Sequence, residues 1–351
     1  MEENEEFLDD ELKESESGDE ENSGLYEHLH ITVDRNQETM RIDKYLAIFR
    51  QNSSRNKISQ TCRAGNVVVN GVPVKQNYRV KPGDDISILL THPPRQNVIT
   101  PQDIPLNIVY EDDDLVVVDK EAGMVVHPGH GNWDGTLVNA LAFHFEKNGE
   151  KSDLDRVGLV HRIDKYTSGL LVIAKNEYAL SYLAKQFFDR KTKRLYWAFI
   201  WGEMQEPEGT ITGHIGRHPK NRMQMAVFEN GSQGKHAVTH YKVLESFRYM
   251  SWVECKLETG RTHQIRAHFK HIGHPLFNDE RYDGHIPIRG QNLPKYSQFI
   301  QNVFEILPRH ALHAHTLGFV HPTTKKEMYF ESPMPADMDA AVKKWRNYLQ
   351  N

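Results

Sequence analysis

Hydrophobic residues follow a helical spacing early in the chain and then change to the pattern of a tight hairpin. Four of them fall at positions i, i+3, i+4 and i+7, which predicts a short amphipathic helix: Ile42, Tyr45, Leu46 and Phe49. A second helix is predicted over 55–63. Valine runs then flank Asn70-Gly71, a pair that favours a two-residue hairpin turn. These elements predict a small helix-and-hairpin domain.

The second half of the chain alternates short apolar runs with helical stretches, which predicts a larger second core. Buried strands are predicted over 106–110, 115–118, 157–160, 169–174, 191–201, 237–246 and 251–257. Helices are predicted over 136–145, 179–188, 294–306 and 337–349. The strands at 157–160 and 169–174 enclose a polar loop, 161–168, with the sequence HRIDKYTS.

Composition divides the chain into four parts. Residues 1–28 are predicted to be a disordered acidic tail, because the first 24 hold twelve Asp or Glu against Lys13. The whole chain has a net charge of -5, but the residues that follow these 24 carry a net charge of +6. The tail is either a solubilising leader or an electrostatic mimic that competes with polyanions for a basic surface. A basic domain over 29–90, a Pro-rich linker over 91–105 and a second domain over 106–351 follow.

Several classes of protein are excluded at this point. No apolar run approaches the roughly 18 residues of a membrane span, and the N-terminus lacks the basic start and apolar stretch of a signal peptide. Cys62 and Cys255 are far apart and without metal-ligand spacing, so neither is predicted to be catalytic. We therefore expect a reducing, cytoplasmic setting and no membrane partner.

Two basic segments predict contact with a polyanion. Three cations lie on the second predicted helix, where they suit a phosphate backbone: Arg55, Lys57 and Arg63. A solvated basic face is the alternative. Residues 211–227 surround Gly and Pro with five further basic or imidazole groups, and we predict a mobile cationic loop that wraps a polyanion. These groups are His214, Arg217, His218, Lys220 and Arg222.

The polar loop at 161–168 places one carboxylate, Asp164, among a His, cations, an aromatic ring and two hydroxyls. A solvated connection with a satisfied Asp is the alternative. No nucleophilic Ser or Cys stands out, and no cofactor fingerprint is present. Four histidines within 263–274 suggest a metal, but the cations Arg261, Arg266 and Lys270 interleave with them, so no metal site is predicted.

A lone ionised carboxylate suits substitution or isomerisation at a sugar carbon. It can attack C1′, or remove a proton from C2′, while a base leaves. A neighbouring Arg would keep such a carboxylate ionised.

The polar loop resembles the H-R-L-D-x-x-T-S-G-L motif of the RluA-type pseudouridine synthases. Three further blocks of that family match in order, at 119–129, 193–196 and 258–268, so the similarity runs from about 108 to 330. Residues 40–88 resemble the alpha-L RNA-binding domain, related to a small-subunit ribosomal protein, through its R-x-D-x-x-L, V-x-V-N-G and K-x-G-D motifs. Three departures lie outside the catalytic set: Ile163 for Leu, Glu121 for Pro and Asn278 for Gly.

The resemblance implies an α+β pseudouridine synthase fold, in which helices and loops flank a central mainly antiparallel or mixed sheet, plus the alpha-L domain. It implies that Asp164 detaches uracil from C1′ so that the base turns and rejoins through C5. Tyr196 would stack on the base and assist proton transfer, Arg266 would pair with Asp164, and Arg162 would hold the flipped nucleotide. Further RNA contacts are assigned to His161, Arg261 and His263. No cofactor is expected for an isomerisation.

The resemblance also suggests a substrate. Residues 216–227 are similar to the loop of the class that acts on large-subunit ribosomal RNA, so this RNA is the expected partner and transfer RNA the runner-up. A non-catalytic RNA-binding or ribosome-assembly protein with a retired active site is the alternative of a different class. The intact Asp164, Tyr196 and Arg266 argue against it. We expect a monomer.

Overall fold

The computed structural model describes residues 26–49, 55–90, 99–129, 132–149, 158–221, 223–287 and 294–350. The chain divides into two compact units, one formed by residues 1–98 together with 129–133 and the other by residues 99–128 together with 134–351. Within the described ranges, no helix is long and apolar enough to cross a membrane.

The first unit packs two helices on a four-stranded sheet. The helices are α1 (Ile42–Phe49) and α2 (Arg55–Arg63). The strands are β1 (Tyr26–Thr32), β2 (Val67–Val69), β3 (Val72–Pro73) and β4 (Asp85–Leu90), in the order β1-β4-β2-β3. Positive φ angles at Asn70 (48°) and Gly71 (79°) make the predicted hairpin turn between β2 and β3.

Strand β1 was not predicted. It pairs antiparallel with β4 and begins at Tyr26, inside the stretch 1–28 that was expected to be disordered. The expected domain start at 29 is therefore three residues late, because an edge strand with few apolar residues resembles a polar tail in sequence. The rest of the acidic tail, residues 1–25, lies outside the described residues.

An 11-stranded mixed sheet forms the second unit, in the order β11-β10-β12-β13-β9-β14-β8-β6-β5, with β15 on β14 and β7 on β8. Its strands are β5 (Ile108–Glu111), β6 (Leu115–Lys120), β7 (Gly158–Leu159), β8 (Ser168–Ala174), β9 (Lys193–Trp201), β10 (Glu208–Arg217), β11 (Met225–Phe228), β12 (Lys235–Ser246), β13 (Met250–Leu257), β14 (Leu312–Val320) and β15 (Glu327–Glu331). Every pairing is antiparallel except that of β14 with β8. The α+β class with a large mixed sheet is confirmed.

Among the described residues of this unit, five helices cover the sheet: α3 (Leu137–Lys147), α4 (Glu177–Phe188), α5 (Gln264–His271), α6 (Pro294–Ile306) and α7 (Ala336–Gln350). Thr136 starts α3 in a capping box with Asn139. Every residue of β8 is buried, which explains its continuous apolar sequence. A second apolar cluster joins the sheet to α6 and α7 through residues such as Phe277 and Trp345.

Two sequence expectations need correction in this unit. Residues 211–227 are not a loop but largely the hairpin of β10 and β11, in which the buried Ile211, Gly213 and Ile215 alternate with more exposed residues. Glycine and cationic residues in this segment hid the alternation of buried and exposed positions that is typical of a strand. The predicted linker is shorter than expected. Residues 91–98 lie outside the described residues, whereas Thr100 and Gln102 hydrogen-bond to Asn139 of α3.

Candidate active site

Asp164 begins a tight turn between β7 and β8. Its carbonyl accepts a hydrogen bond from the Thr167 N–H at 3.0 Å. The preceding residue, Ile163, is buried in the main apolar cluster and anchors the turn to the core. The carbonyl of Lys165 accepts from the Gly123 N–H at 2.8 Å and from the buried Lys120 Nζ at 3.1 Å. The backbone that carries Asp164 is therefore fixed by its neighbours.

The predicted pairing of Asp164 with Arg266 is confirmed. Arg266 Nη1 donates to Asp164 Oδ2 at 2.7 Å. The other edge of the guanidinium is held by Asp279, because Nε donates to Oδ2 at 2.7 Å and Nη2 donates to Oδ1 at 2.9 Å. The Tyr282 ring lies 4.9 Å from the guanidinium. One arginine thus bridges two carboxylates and leaves a single nitrogen for Asp164.

Electrostatics keep Asp164 ionised. Burial alone would raise the pKa of its carboxyl. At acid pH the protonated His263 ring, the Arg266 guanidinium and the protonated His310 ring, together with the hydrogen bond from Arg266, hold that pKa well below its usual range. Burial lowers the pKa of His263 itself to about 4, so this ring is neutral at neutral pH. The Arg266 guanidinium is therefore the charge that stabilises the carboxylate.

Tyr196 lies on β9, opposite Cys255 of β13 and Ala314 of β14. Its side chain is 6% exposed, and burial raises its pKa, so the phenol is protonated at neutral pH. The charges of Arg194 and Asp164 also act on its pKa, and its ring belongs to the same apolar cluster as Ile163, the residue before Asp164. The structure thus brings together the three predicted catalytic residues.

Two predicted RNA-binding residues lie close to this cluster. His263 Nε2 is 3.9 Å from Asp164 Oδ1, and its Nδ1 is 2.8 Å from the Tyr282 hydroxyl. Arg162 is exposed, and its charge helps to lower the pKa of His263. His263 thus lies near Asp164, and Arg162 lies two positions before Asp164 in the chain.

His161 points elsewhere. Its ring stacks on Phe187 of α4, with centroids 4.4 Å apart, and its Nε2 accepts the Val172 N–H at 3.1 Å. Burial lowers its pKa to about 3. These contacts make His161 a packing residue of the turn, while its assignment to RNA stays a prediction.

The remaining predicted RNA contacts are divided between the two units. Arg261 is half-buried and its Nε donates to the His236 carbonyl at 3.3 Å. Arg217 is exposed at the end of β10, and His218 accepts two backbone N–H groups in the hairpin turn. Arg63 is exposed in the first unit. Arg222 and the side chains of Arg55 and Lys57 lie outside the described residues.

Sequence reasoning missed several residues that build the site. Asp279 and Tyr282 were not singled out, although the Tyr282 hydroxyl also accepts the Met225 N–H at 2.8 Å and so joins the segment that carries both residues to the β10–β11 hairpin. His310 Nε2 lies 2.9 Å from the Thr167 hydroxyl. No local pattern signals these contacts, because the partners are far apart in the chain.

The histidines within 263–274 do not converge on a metal position. His268 bonds to Thr239, His271 to Glu229 and His274 to the Trp201 carbonyl. Elsewhere in the described chain, three ligand-type atoms of Asp112, Asp114 and His321 lie within 4.8 Å of one another. There His321 Nδ1 accepts the N–H groups of Thr323 and Thr324, so Nε2 carries the proton and donates to Asp112 at 2.7 Å. Hydrogen bonding accounts for that group without an ion.

Comparison with known proteins identifies the family. Residues 114–271 match the RNA pseudouridylate synthase family and residues 40–86 match the S4 domain. An RNA pseudouridine synthase of Chlorobaculum parvum is 47% identical over 92% of this chain and 98% of its own length. The ribosomal large subunit pseudouridine synthase D of Nitrosomonas europaea is 40% identical over 95% of this chain and 91% of its own length.

A solved structure agrees at the level of the fold. Human RNA pseudouridylate synthase domain containing 4 matches with a TM-score of 0.52 and 23% identity, over 68% of this chain and 93% of that one. With its matched family domain, its full-length relatives and its N-terminal S4 RNA-binding domain, this chain belongs to the RNA pseudouridine synthases.

Proposed function

We propose that this enzyme converts uridines of large-subunit ribosomal RNA to pseudouridine, with Asp164 as the group that acts on the sugar. The observation that carries the proposal is the ion pair of Asp164 with Arg266, 2.7 Å long, on a turn fixed by backbone hydrogen bonds. The choice of RNA is supported by the Nitrosomonas europaea relative, whose name gives the large ribosomal subunit as its substrate.

The chemistry begins with an ionised carboxylate. Asp164 either adds to C1′ of the target uridine or removes the C2′ proton, and in both routes the bond from C1′ to N1 breaks. The detached uracil turns so that C5 faces C1′. The new bond from C1′ to C5 then forms as the C1′ bond to Asp164 breaks or, in the second route, as Asp164 returns the proton to C2′. The C5 proton is then lost and N1 gains one, so atoms and charge balance without a cofactor.

The neighbours of Asp164 have distinct parts in this scheme. Arg266 keeps the carboxylate ionised but occupies only Oδ2, which leaves Oδ1 to the substrate. Tyr196 presents a buried ring for stacking against uracil, and its protonated hydroxyl serves as a relay that gives up its own proton as it takes the one from C5. Arg162, exposed beside His263, holds the nucleotide in its flipped position, a state that costs a few kcal/mol.

The test is a pseudouridine map of cellular RNA from the unaltered strain and from an Asp164→Ala strain, by carbodiimide-stop sequencing. We expect marks in large-subunit ribosomal RNA to disappear in the variant. Loss of marks in transfer RNA alone would contradict the proposed substrate. A map unchanged at every uridine would contradict the role of Asp164 and favour a non-catalytic RNA-binding protein.

A further inference from the structure

A buried arginine in the C-terminal part of the chain, Arg309, makes hydrogen bonds to the turn that carries Asp164. Arg309 Nη1 donates to the Tyr166 carbonyl at 3.0 Å and to the Leu312 carbonyl at 3.1 Å, and Nη2 lies 3.3 Å from the Ser168 hydroxyl. The Arg309 side chain is 4% exposed. It thus contacts the turn at the Tyr166 carbonyl and at Ser168, where β8 begins.

The guanidinium is itself oriented by the C-terminal helix. Asp337, in the first turn of α7, accepts from Arg309 Nε at 2.6 Å and from Nη2 at 3.0 Å. This bidentate pair fixes the plane of the guanidinium and leaves Nη1 for the backbone carbonyls. Asp337, Arg309 and the Tyr166 carbonyl therefore form a continuous link from α7 to the catalytic turn.

We propose that Arg309 is a positioning residue for Asp164, with Asp337 orienting it, so that α7 belongs to the catalytic apparatus. Residues 114–271 are the part of the chain that matches the synthase family, and both members of the link lie beyond it. The inference rests on the proposed role of Asp164 in the reaction. A displacement of the turn by about 1 Å would cost on the order of 100-fold in rate.

The experiment uses total RNA from a strain lacking this enzyme, so that the readout holds whichever RNA is the substrate. Single-turnover conversion at saturating enzyme is followed by carbodiimide-stop sequencing, and RNA binding and thermal unfolding are measured in parallel. Substitution of Arg309 alone would leave the Asp337 carboxylate without its charged partner. The main variant is therefore the double substitution Arg309→Met with Asp337→Leu, which removes both charges. Arg309→Lys is the second variant, because a single ammonium cannot reproduce the planar fork in which Nε and Nη2 pair with Asp337 while Nη1 binds the Tyr166 carbonyl.

Arg346→Met is the matched control. Arg346 also ties α7 to the sheet, through Glu245 at 2.6 Å, but it does not touch the catalytic turn. We expect the double variant and Arg309→Lys to fold and bind RNA as the unaltered chain does, yet to convert it about 100-fold more slowly. The control should keep the full rate.

The variant Asp164→Asn is included so that a failure of the positioning role can be distinguished from a failure of the proposed function. Full conversion by a folded Arg309 variant, while Asp164→Asn is inactive, would overturn the positioning role alone. Full conversion by Asp164→Asn would overturn the proposed function.

Discussion

Asp279 determines how Arg266 meets Asp164, and Asp279→Asn tests that geometry. Asp279 is 1% exposed and takes two of the three guanidinium nitrogens. Asparagine keeps the shape and one acceptor oxygen but removes the charge. Arg266 should then turn toward Asp164, which becomes its only charged partner among the described residues.

The expected loss of stability follows from the burial of this pair. Removing one partner of a buried ion pair costs ~3–5 kcal/mol, and the hydrogen bond that asparagine retains returns ~1 kcal/mol. The free energy of unfolding should therefore fall by ~2–4 kcal/mol. For a domain of this size, that lowers the unfolding midpoint by roughly 5–15 °C.

The rate should fall as well. In the Asp279→Asn variant, Arg266 donates a second charge-assisted hydrogen bond to Asp164, which is worth ~1.5–3 kcal/mol. That bond must be broken before the carboxylate can act on the sugar. We expect single-turnover conversion of RNA to slow by ~10–100-fold. Conversion and thermal unfolding measured on the same preparation give both quantities.

Asp283→Asn is the matched control, since Asp283 lies in the same loop but pairs with the exposed Lys270 at 2.6 Å. Its φ of 63° suits asparagine equally well. If Asp279→Asn matches this control in rate and in unfolding midpoint, the bridging arginine does not set the state of Asp164.

Three further predictions concern charge. Arg266→Met should raise the pKa of Asp164, so that the rate falls at acid pH where the unaltered enzyme stays flat; a flat profile in the variant would contradict this. Thermal stability should fall steeply as pH drops below 6.5, because five histidines have lowered folded pKa values and the unfolded chain takes up their protons first: His161, His263, His268, His310 and His313. A midpoint unchanged between pH 7 and about 5 would be inconsistent with their burial. Removing residues 1–90 should weaken RNA binding and its salt dependence, and equal binding across a salt series would exclude a role for the S4 domain.

Local patterns predicted most of the elements that hold the site. Apolar runs predicted β8 and β9, apolar residues at helical spacing predicted α4, and Asn70-Gly71 predicted the β2–β3 hairpin. Each of these elements depends on residues that are close in sequence. The loop predicted over 211–227 was wrong. Glycine stands on the buried face of β10 at Gly213, and Gly216 and Arg217 end the strand, which hides the alternation.

The links between distant residues could not be predicted. Asp279 meets Arg266 across 13 positions, and Arg309 meets Tyr166 across 143. The second contact depends on β14 lying parallel to β8, which puts His313 opposite Ser168. A single sequence contains no periodicity that specifies such a strand order. The catalytic candidate was visible in the sequence, whereas the groups that hold it in place were not.

The most direct test of the account is single-turnover conversion of uridine by Asp164→Asn, measured together with RNA affinity. Asparagine keeps the size of the side chain and its hydrogen bond to Arg266 but cannot add to C1′ or accept the C2′ proton. We expect no detectable pseudouridine and an unchanged affinity for RNA. Conversion at the rate of the unaltered enzyme would show that another group acts on the sugar, and the central claim would be wrong.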